Sequence, residues 1–157
     1  MERLERSHRV VAGLLQAQLS TKVPHREITL YGWKQKGIRF QRTVGRYLKR
    51  ELPYEIFAGQ WLEFEDANGS GFAQPDFYFL TDRALFCLEA KLTQKLQGRL
   101  QIDELYRPLL SRIYQKPVVG ILVCKNLTRD PGQWKISNPM EVLDETRELT
   151  WMWHFLP

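Results

Sequence analysis

Residues 118–124 form an uninterrupted apolar run, VVGILVC, in which four of the seven residues are β-branched. A run without alternating polar residues is typical of a strand that is buried on both faces, with helices covering both sides of its sheet. The chain has 157 residues, which is the length of one compact domain with a substantial core. The sequence therefore predicts a single α/β domain over residues 1–157, with a mixed central sheet flanked by helices.

Helical spacing of apolar residues marks three further segments. Residues 3–19 combine an apolar face with several arginines and predict a basic N-terminal helix. Residues 38–51 have one apolar and one basic face and end just before Pro53. Residues 93–115 predict a longer helix, and Pro108 is expected to kink it.

Alternating apolar residues predict the remaining strands. The candidates are residues 54–65, 72–80, 84–92 and 150–156. A short helix that opens at Asn138 and Pro139 is expected before the last strand. The segment 20–36 is expected to be a loop with a short strand in EITLYGW, residues 27–33.

The stretch QPDFYFLTDRALFCLEAKL, residues 74–92, predicts a hairpin that carries charges inside apolar strands. If the turn is centred between residues 82 and 83, Asp76 lies opposite Glu89. Lys91 shares their face because side chains alternate with period two, so three charged groups converge. The opposite face is expected to be a core face formed by Phe77, Phe79, Phe86 and Leu88.

Two carboxylates opposed across a strand pair repel each other, so a cation is expected between them. Lys91 supplies one positive charge, and a hard divalent cation such as Mg²⁺ is the other candidate. Such a metal activates bound water and stabilises charge that develops on a phosphate, while a lysine orients the attacking water. That combination hydrolyses phosphodiesters. The alternative is a surface salt bridge between Lys91 and the two acids.

The pair Pro75 and Asp76, twelve intervening residues, and then Glu89, Ala90 and Lys91 resemble the motif of the PD-(D/E)XK nuclease superfamily. The resemblance implies that Asp76 and Glu89 are catalytic residues that bind Mg²⁺, for which Mn²⁺ substitutes. It also implies that the backbone carbonyl of Ala90 is a metal ligand and that Lys91 assists the nucleophilic water.

The predicted order of helix, three strands, helix and strand is also similar to that superfamily. It matches a restriction-endonuclease-like αβββαβ core over about residues 38–125, with an N-terminal extension at 1–37 and a C-terminal helix-strand extension at 126–157. The resemblance implies a metal-dependent DNA endonuclease of recombination or repair, restriction, homing or phage DNA processing. The alternative is a nuclease-fold module that binds nucleic acid or protein without cutting.

The sequence departs from the superfamily in its first core helix, where many members carry a further glutamate. Gln41 lies in that helix, either as a weaker ligand or as an ordinary surface residue. Glu63 and Glu65, on the predicted strand before the hairpin, are either the missing ligand or solvated strand charges. Gln101 resembles the glutamine that follows the lysine in RecB-like nucleases. Tyr106, however, comes one position later than the tyrosine of their QxxxY motif.

Positive charge is concentrated in residues 1–50, which hold 12 Lys and Arg against 3 Asp and Glu. This bias is typical of a surface that binds a polyanion such as DNA. Basic residues on the predicted helix recur every three or four positions and form a stripe able to follow phosphates. The predicted nucleic-acid contacts are Arg39, Arg42, Arg46 and Lys49, with Lys95 and Arg99 beyond the hairpin. A solvated helix face has the same pattern.

Other classes of function lack their sequence signals. The chain has no apolar run of membrane-spanning length, no P-loop for ATP and no histidine pair at metal-binding spacing. Cys87 and Cys124 lie in apolar runs and are expected to be inert core residues. The charged first ten residues lack a signal-peptide core, so a cytoplasmic or nucleoid-associated location is expected. Because one site cuts one strand, a homodimer or higher oligomer is expected, with residues 3–19 as a candidate interface.

Overall fold

The computed structural model describes residues 10–22 and 32–156, except for the side chains of residues 32–34. The strands are β1 (Gln16–Leu19), β2 (Phe57–Ala58), β3 (Leu62–Asp66), β4 (Gly69–Ala73), β5 (Phe77–Leu80), β6 (Leu85–Thr93), β7 (Val118–Asn126), β8 (Lys135–Ile136) and β9 (Thr150–His154). The helices are α1 (Gly32–Glu51), α2 (Leu96–Leu100) and α3 (Arg107–Tyr114), and a π-helical turn (Gln101–Tyr106) joins α2 to α3. Within the described ranges, no helix is long and apolar enough to cross a membrane.

The strands form two sheets. The larger has the order β2-β5-β6-β7-β9-β8, and the smaller has the order β1-β3-β4. In the larger sheet, β2, β5 and β6 are antiparallel, whereas β6, β7, β9 and β8 are parallel. The predicted α/β class with a mixed sheet is therefore confirmed.

Strand β7 is buried on both faces, as the run at 118–124 predicts. Val119, Ile121 and Val123 lie in one core cluster, and Val118, Leu122 and Cys124 lie in the other. Helix α1 covers the first face, while the π-helical turn and α3 cover the second. The sheet therefore separates two apolar layers, each closed by helix.

Helix α1 forms because its apolar residues recur at helical spacing and its polar residues lie on the other side. Phe40, Val44 and Leu48 are buried against the sheet. A Cβ added at Gly45 would lie 3.0 Å from the Phe77 ring, so the helix crosses closely over β5. The predicted helix at 38–51 is confirmed, and it begins earlier, at Gly32.

The predicted helix at 93–115 is also present, but it changes geometry along its length, from α2 through the π-helical turn to α3. The π-helical turn lies immediately before Pro108, which occupies the first turn of α3. Pro108 has no N–H to donate to the preceding turn, yet the helix continues after it to Tyr114.

The prediction of a helix over residues 3–19 is wrong for its described part. Residues 3–9 lie outside the described residues, and residues 16–19 form β1, which pairs with β3. Gly13 adopts a left-handed φ of +62°, and the N–H groups of Ala12 and Leu15 bind Asp66 and Glu65 instead of helical carbonyls. Cross-strand partners therefore outcompete the helical pattern, and residues 10–19 offer no helix for the predicted oligomer interface.

Three other boundaries differ from the predictions. The candidate strand at 54–65 divides into β2 and β3, and that at 72–80 divides into β4 and β5 at Gln74 and Pro75. The predicted short helix is one 3-10 turn, Pro139–Val142, and the terminal strand is β9. The short strand expected at 27–33 lies outside the described residues up to position 31, and its last two residues belong to α1.

Candidate active site

The hairpin register is the one predicted from the sequence. Phe79 pairs with Phe86 and Phe77 with Leu88. Thr81 closes the two-residue turn, since its N–H donates to the Ala84 carbonyl at 2.9 Å. The phenylalanine face packs in the α1 layer, as expected. The next pair in this register brings Asp76 to Glu89.

Two backbone N–H groups, those of Ala90 and Asp76, hold the carboxylates of Asp76 and Glu89. The Ala90 N–H donates to Asp76 Oδ2 at 2.9 Å, and the Asp76 N–H donates to Glu89 Oε2 at 3.4 Å. Asp76 is 2% exposed and Glu89 is 0% exposed. Carboxylates are seldom buried to this extent unless they are paired or bind a metal.

The backbone before Asp76 is held from two sides. Pro75 has no N–H to donate, which favours the break between β4 and β5. The Gly59 N–H donates to the Asp76 carbonyl at 3.1 Å, and the Tyr106 hydroxyl donates to the Gln74 carbonyl at 3.3 Å. Asp76 therefore enters the site on a fixed segment rather than on a loose loop.

Lys91 completes the predicted cluster. Its Nζ lies 3.4 Å from Glu89 Oε1, and its side chain is 31% exposed. Helix α2 passes directly over its stem: a Cβ added at Gly98 would lie 3.1 Å from Lys91 Cγ and 2.8 Å from Leu122 Cδ1. The ammonium group thus reaches solvent while its carbon stem is packed beside a glycine.

The donor set suits a hard cation. Two buried carboxylates lie together beside Lys91, and Mg²⁺ prefers carboxylate and carbonyl oxygens with water. Among the described residues, no group of three or more His, Cys, Asp or Glu side chains is placed to hold a metal.

The other candidate ligands lie elsewhere. Gln41 is on α1, which packs on the opposite face of the sheet. Glu63 and Glu65 are on β3 of the smaller sheet, where they accept hydrogen bonds from the side chains of Gln18 and Gln16. Their interactions are those of a strand pair.

The predicted nucleic-acid contacts separate into two groups. Arg39, Arg42, Arg46 and Lys49 are exposed on α1, beyond the sheet face opposite to the acids. Lys95 and Arg99 are exposed at α2, the helix that covers Lys91. The structure therefore brings only the second group onto the layer of the acids.

The π-helical turn begins at Gln101 and ends at Tyr106. A π turn is closed by hydrogen bonds between residues i and i+5, which is the separation of Gln101 and Tyr106. Both side chains are buried, and Tyr106 holds the backbone next to Pro75.

The two cysteines are free, buried residues. Burial and the nearby Glu89 raise the pKa of the Cys87 thiol well above its usual range, and burial raises the pKa of Cys124 to about 12. Neither is a thiolate nucleophile near neutral pH.

Sequence reasoning missed a cleft beside this site. It measures about 470 Å³ and is lined by side chains that include Arg129, Trp134 and Trp151. Trp151 is distant in sequence from Arg129 and Trp134, and the three show no common spacing, so only the fold brings them together. Comparisons with protein-family models, curated proteins and solved structures gave no match to this chain. Function must therefore be argued from the site.

Proposed function

We propose that this chain is a divalent-metal-dependent DNA endonuclease of the PD-(D/E)XK type, with a restriction-endonuclease-like αβββαβ core. The observation that carries the proposal is the buried pair Asp76 and Glu89, with Lys91 beside it. The Ala90 N–H donates to Asp76, and the Asp76 N–H donates to Glu89. Two acids and a lysine in this relation supply metal ligands and an ammonium group from one hairpin.

Asp76, Glu89 and the Ala90 carbonyl are the groups that hold Mg²⁺ or Mn²⁺. The metal supplies Lewis-acid stabilisation of a phosphate and activation of water. Lys91 has three N–H donors and no acceptor, so it orients a water through the water oxygen and stabilises negative charge. Its packed stem limits the positions that the ammonium group reaches.

The reaction is hydrolysis of a phosphodiester. The water oxygen forms a bond to phosphorus, and the bond from phosphorus to the leaving sugar oxygen breaks. The water oxygen remains on the product phosphate. The proton that the water loses is taken up by the leaving sugar oxygen, which becomes a hydroxyl group. No redox partner or nucleotide energy source is required, in keeping with the lack of a P-loop.

DNA is the proposed substrate because the basic residues on α1 and those at α2 are both exposed and can contact phosphates. Lys95 and Arg99 are the contacts nearest the acids, and the stripe on α1 extends the basic surface on the other face. The proposed roles are recombination or repair, restriction, homing and phage DNA processing. Because each chain holds one site, cleavage of both strands favours a homodimer or higher oligomer.

A second candidate is a nuclease-fold module that binds nucleic acid or protein without cutting. The observation in its favour is that no third acid, histidine or cysteine joins Asp76 and Glu89 within the described residues. In that case the contact between Lys91 and Glu89 is a structural salt bridge.

Cleavage assays separate the two candidates. Wild-type protein and Asp76→Asn are incubated with linear, circular, single-stranded and four-way-junction DNA in Mg²⁺, Mn²⁺ or chelator. The endonuclease proposal predicts cutting that requires metal and is lost in Asp76→Asn, which is nearly isosteric and still accepts from Ala90. Folded wild-type protein that binds DNA but cuts none of these substrates supports the binding module.

A further inference from the structure

The cleft missed by sequence reasoning has part of its lining, Leu122 and Met152, on the same face of the sheet as the acids, whereas Trp151 packs against the α1 layer. Glu89 pairs with Leu122 on β7, and Leu122 pairs with Met152 on β9. Leu122 and Met152 both line the cleft. Neighbouring strands are about 4.8 Å apart, so Met152 is about 10 Å from Glu89 across the sheet. The cleft has a volume of about 470 Å³, which is typical of a small-molecule site.

The rim of the cleft is basic. Lys95, Arg99 and Arg129 line it, together with one acid, Asp130. Neither Lys95 nor Arg129 forms an ion pair with any of the described residues, and Arg99 is positioned by Asp103, with Nε 3.4 Å from Oδ2. Asp130 Oδ1 accepts a hydrogen bond from the Gly132 N–H at 2.9 Å. The excess of positive charge therefore favours an anion.

The buried side chain of Gln94 holds the loop that carries Arg129. Gln94 is buried, and its Oε1 accepts hydrogen bonds from the N–H groups of Thr128 at 3.0 Å and Arg129 at 3.2 Å. The Gln94 N–H also donates to the Asn126 carbonyl at 2.8 Å. The position of the Arg129 backbone is thus set before any ligand binds.

The cleft also has an aromatic wall. Trp134 and Trp151 meet edge to face, with ring centroids 5.4 Å apart and an interplanar angle of 79°. The indole N–H of Trp151 is buried and has no hydrogen-bond partner among the described residues. An aromatic face beside cationic side chains suits a base and its phosphate, which is the usual composition of single-strand sites.

We infer that this cleft binds a nucleotide of an unpaired DNA strand, with the phosphate at Lys95, Arg99 and Arg129 and the base against the two tryptophans. The inference rests on the proposed function only for the choice of nucleic acid as ligand. It implies that the site prefers DNA with single-stranded segments, such as flaps, overhangs or junctions, whose free strand lies about two β-strands from the acids.

Binding is tested in chelator, so that cutting plays no part. Fluorescence anisotropy measures the affinity of a labelled single-stranded oligonucleotide and of the blunt duplex of the same sequence. Lys95→Ala/Arg129→Ala removes two exposed charges from the rim, Trp134→Ala removes part of the aromatic wall, and Arg83→Ala removes an exposed charge from the hairpin tip as a control.

The inference predicts that Lys95→Ala/Arg129→Ala weakens single-strand binding at least about 10-fold and lowers its salt slope by about 1.4. Trp134→Ala is expected to weaken it about 10-fold and to change duplex binding less than 2-fold or so. The double variant is also expected to weaken duplex binding, because Lys95 is a proposed contact of duplex DNA, but less than single-strand binding. Equal effects on single strand and duplex, or no effect beyond that of Arg83→Ala, overturn it. If Trp134→Ala does not fold, the double variant of exposed residues decides the result.

The outcome is independent of catalysis. If the cleft variants selectively lose single-strand binding and the wild-type protein does not cut DNA, the cleft proposal is supported and the endonuclease proposal is refuted. Metal-dependent cutting with unchanged binding in the cleft variants supports the endonuclease and refutes the cleft.

Discussion

Ala90 donates its backbone N–H to Asp76 Oδ2 at 2.9 Å across 14 positions of sequence. The bond places one acid against the residue that lies between the other acid and the lysine. Because backbone rather than a long side chain makes this contact, amide substitutions of the acids retain the geometry while they remove the charge. The predictions for Asp76 and Glu89 use this property.

Mg²⁺ or Mn²⁺ is expected to raise the melting temperature of the wild type and not that of Asp76→Asn. A ligand at 100 times its Kd stabilises a native protein by about 2.7 kcal/mol, which is about 5–10 °C for a domain of this size. Thermal unfolding with metal and with chelator measures the shift. Asp82→Asn, at the exposed hairpin tip, is the control and should behave as the wild type. Equal shifts in all three proteins contradict a metal at Asp76.

Two glycine-to-alanine changes in helices should act in opposite directions. Gly37→Ala in α1 meets nothing within 4 Å and is expected to stabilise the protein by about 0.5–1 kcal/mol. Gly98→Ala meets Leu122 and the Lys91 stem and is expected to destabilise it by about 1–3 kcal/mol. Denaturant unfolding measures both.

Gly98→Ala should also reduce cleavage, because Lys91 must move to admit the new methyl group. Gly37→Ala is the matched control and should cut at the wild-type rate. If Gly98→Ala is as stable and as active as Gly37→Ala, then α2 does not lie against Lys91 as described.

Arg42→Ala/Arg46→Ala is expected to leave cleavage chemistry intact and to lower the salt dependence of duplex binding. Each phosphate contact contributes a slope of about 0.9 on duplex DNA, so two contacts contribute about 1.8. Anisotropy at several salt concentrations measures the slope, and Arg83→Ala serves as control. An unchanged slope means that duplex DNA does not follow α1, whose stripe lies on the face opposite to the acids.

Both cysteines should resist a thiol reagent at pH 8 in the native state. Burial raises the pKa of both thiols, to about 12 for Cys124, so the thiolate that reacts is scarce. Raising the pH towards these pKa values should increase the reaction, and denaturant should expose two thiols per chain. Absorbance of the released chromophore follows the reaction. Rapid labelling of either cysteine in the folded protein contradicts its burial.

The hairpin and the doubly buried strand were predictable because their signals are local. The even turn and the period-two alternation set the register of Asp76 against Glu89, and the apolar run at 118–124 needed no partner to be recognised. Helix α1 was predictable from its 3.6-residue period for the same reason.

The N-terminal segment was not predictable because its partners are distant in sequence. Residues 16–19 have helical spacing, yet they pair with β3 more than 40 positions away. The cleft was missed for the same reason: Lys95 and Arg129 follow the carboxyl ends of β6 and β7, and only the fold brings Trp151, near the start of β9, to the same cleft. The layer occupied by the α1 stripe likewise depends on which sheet face the helix covers.

The rate at which Glu89→Gln nicks supercoiled DNA, compared with wild type and Asp82→Asn, tests the metal-site assignment most directly. Wild type and Asp82→Asn are expected to nick at equal rates in Mg²⁺ and not in chelator, and Glu89→Gln at least about 100-fold more slowly with its fold intact. Nicking by Glu89→Gln at the wild-type rate, or no nicking by folded wild-type protein in either metal, would contradict the assignment.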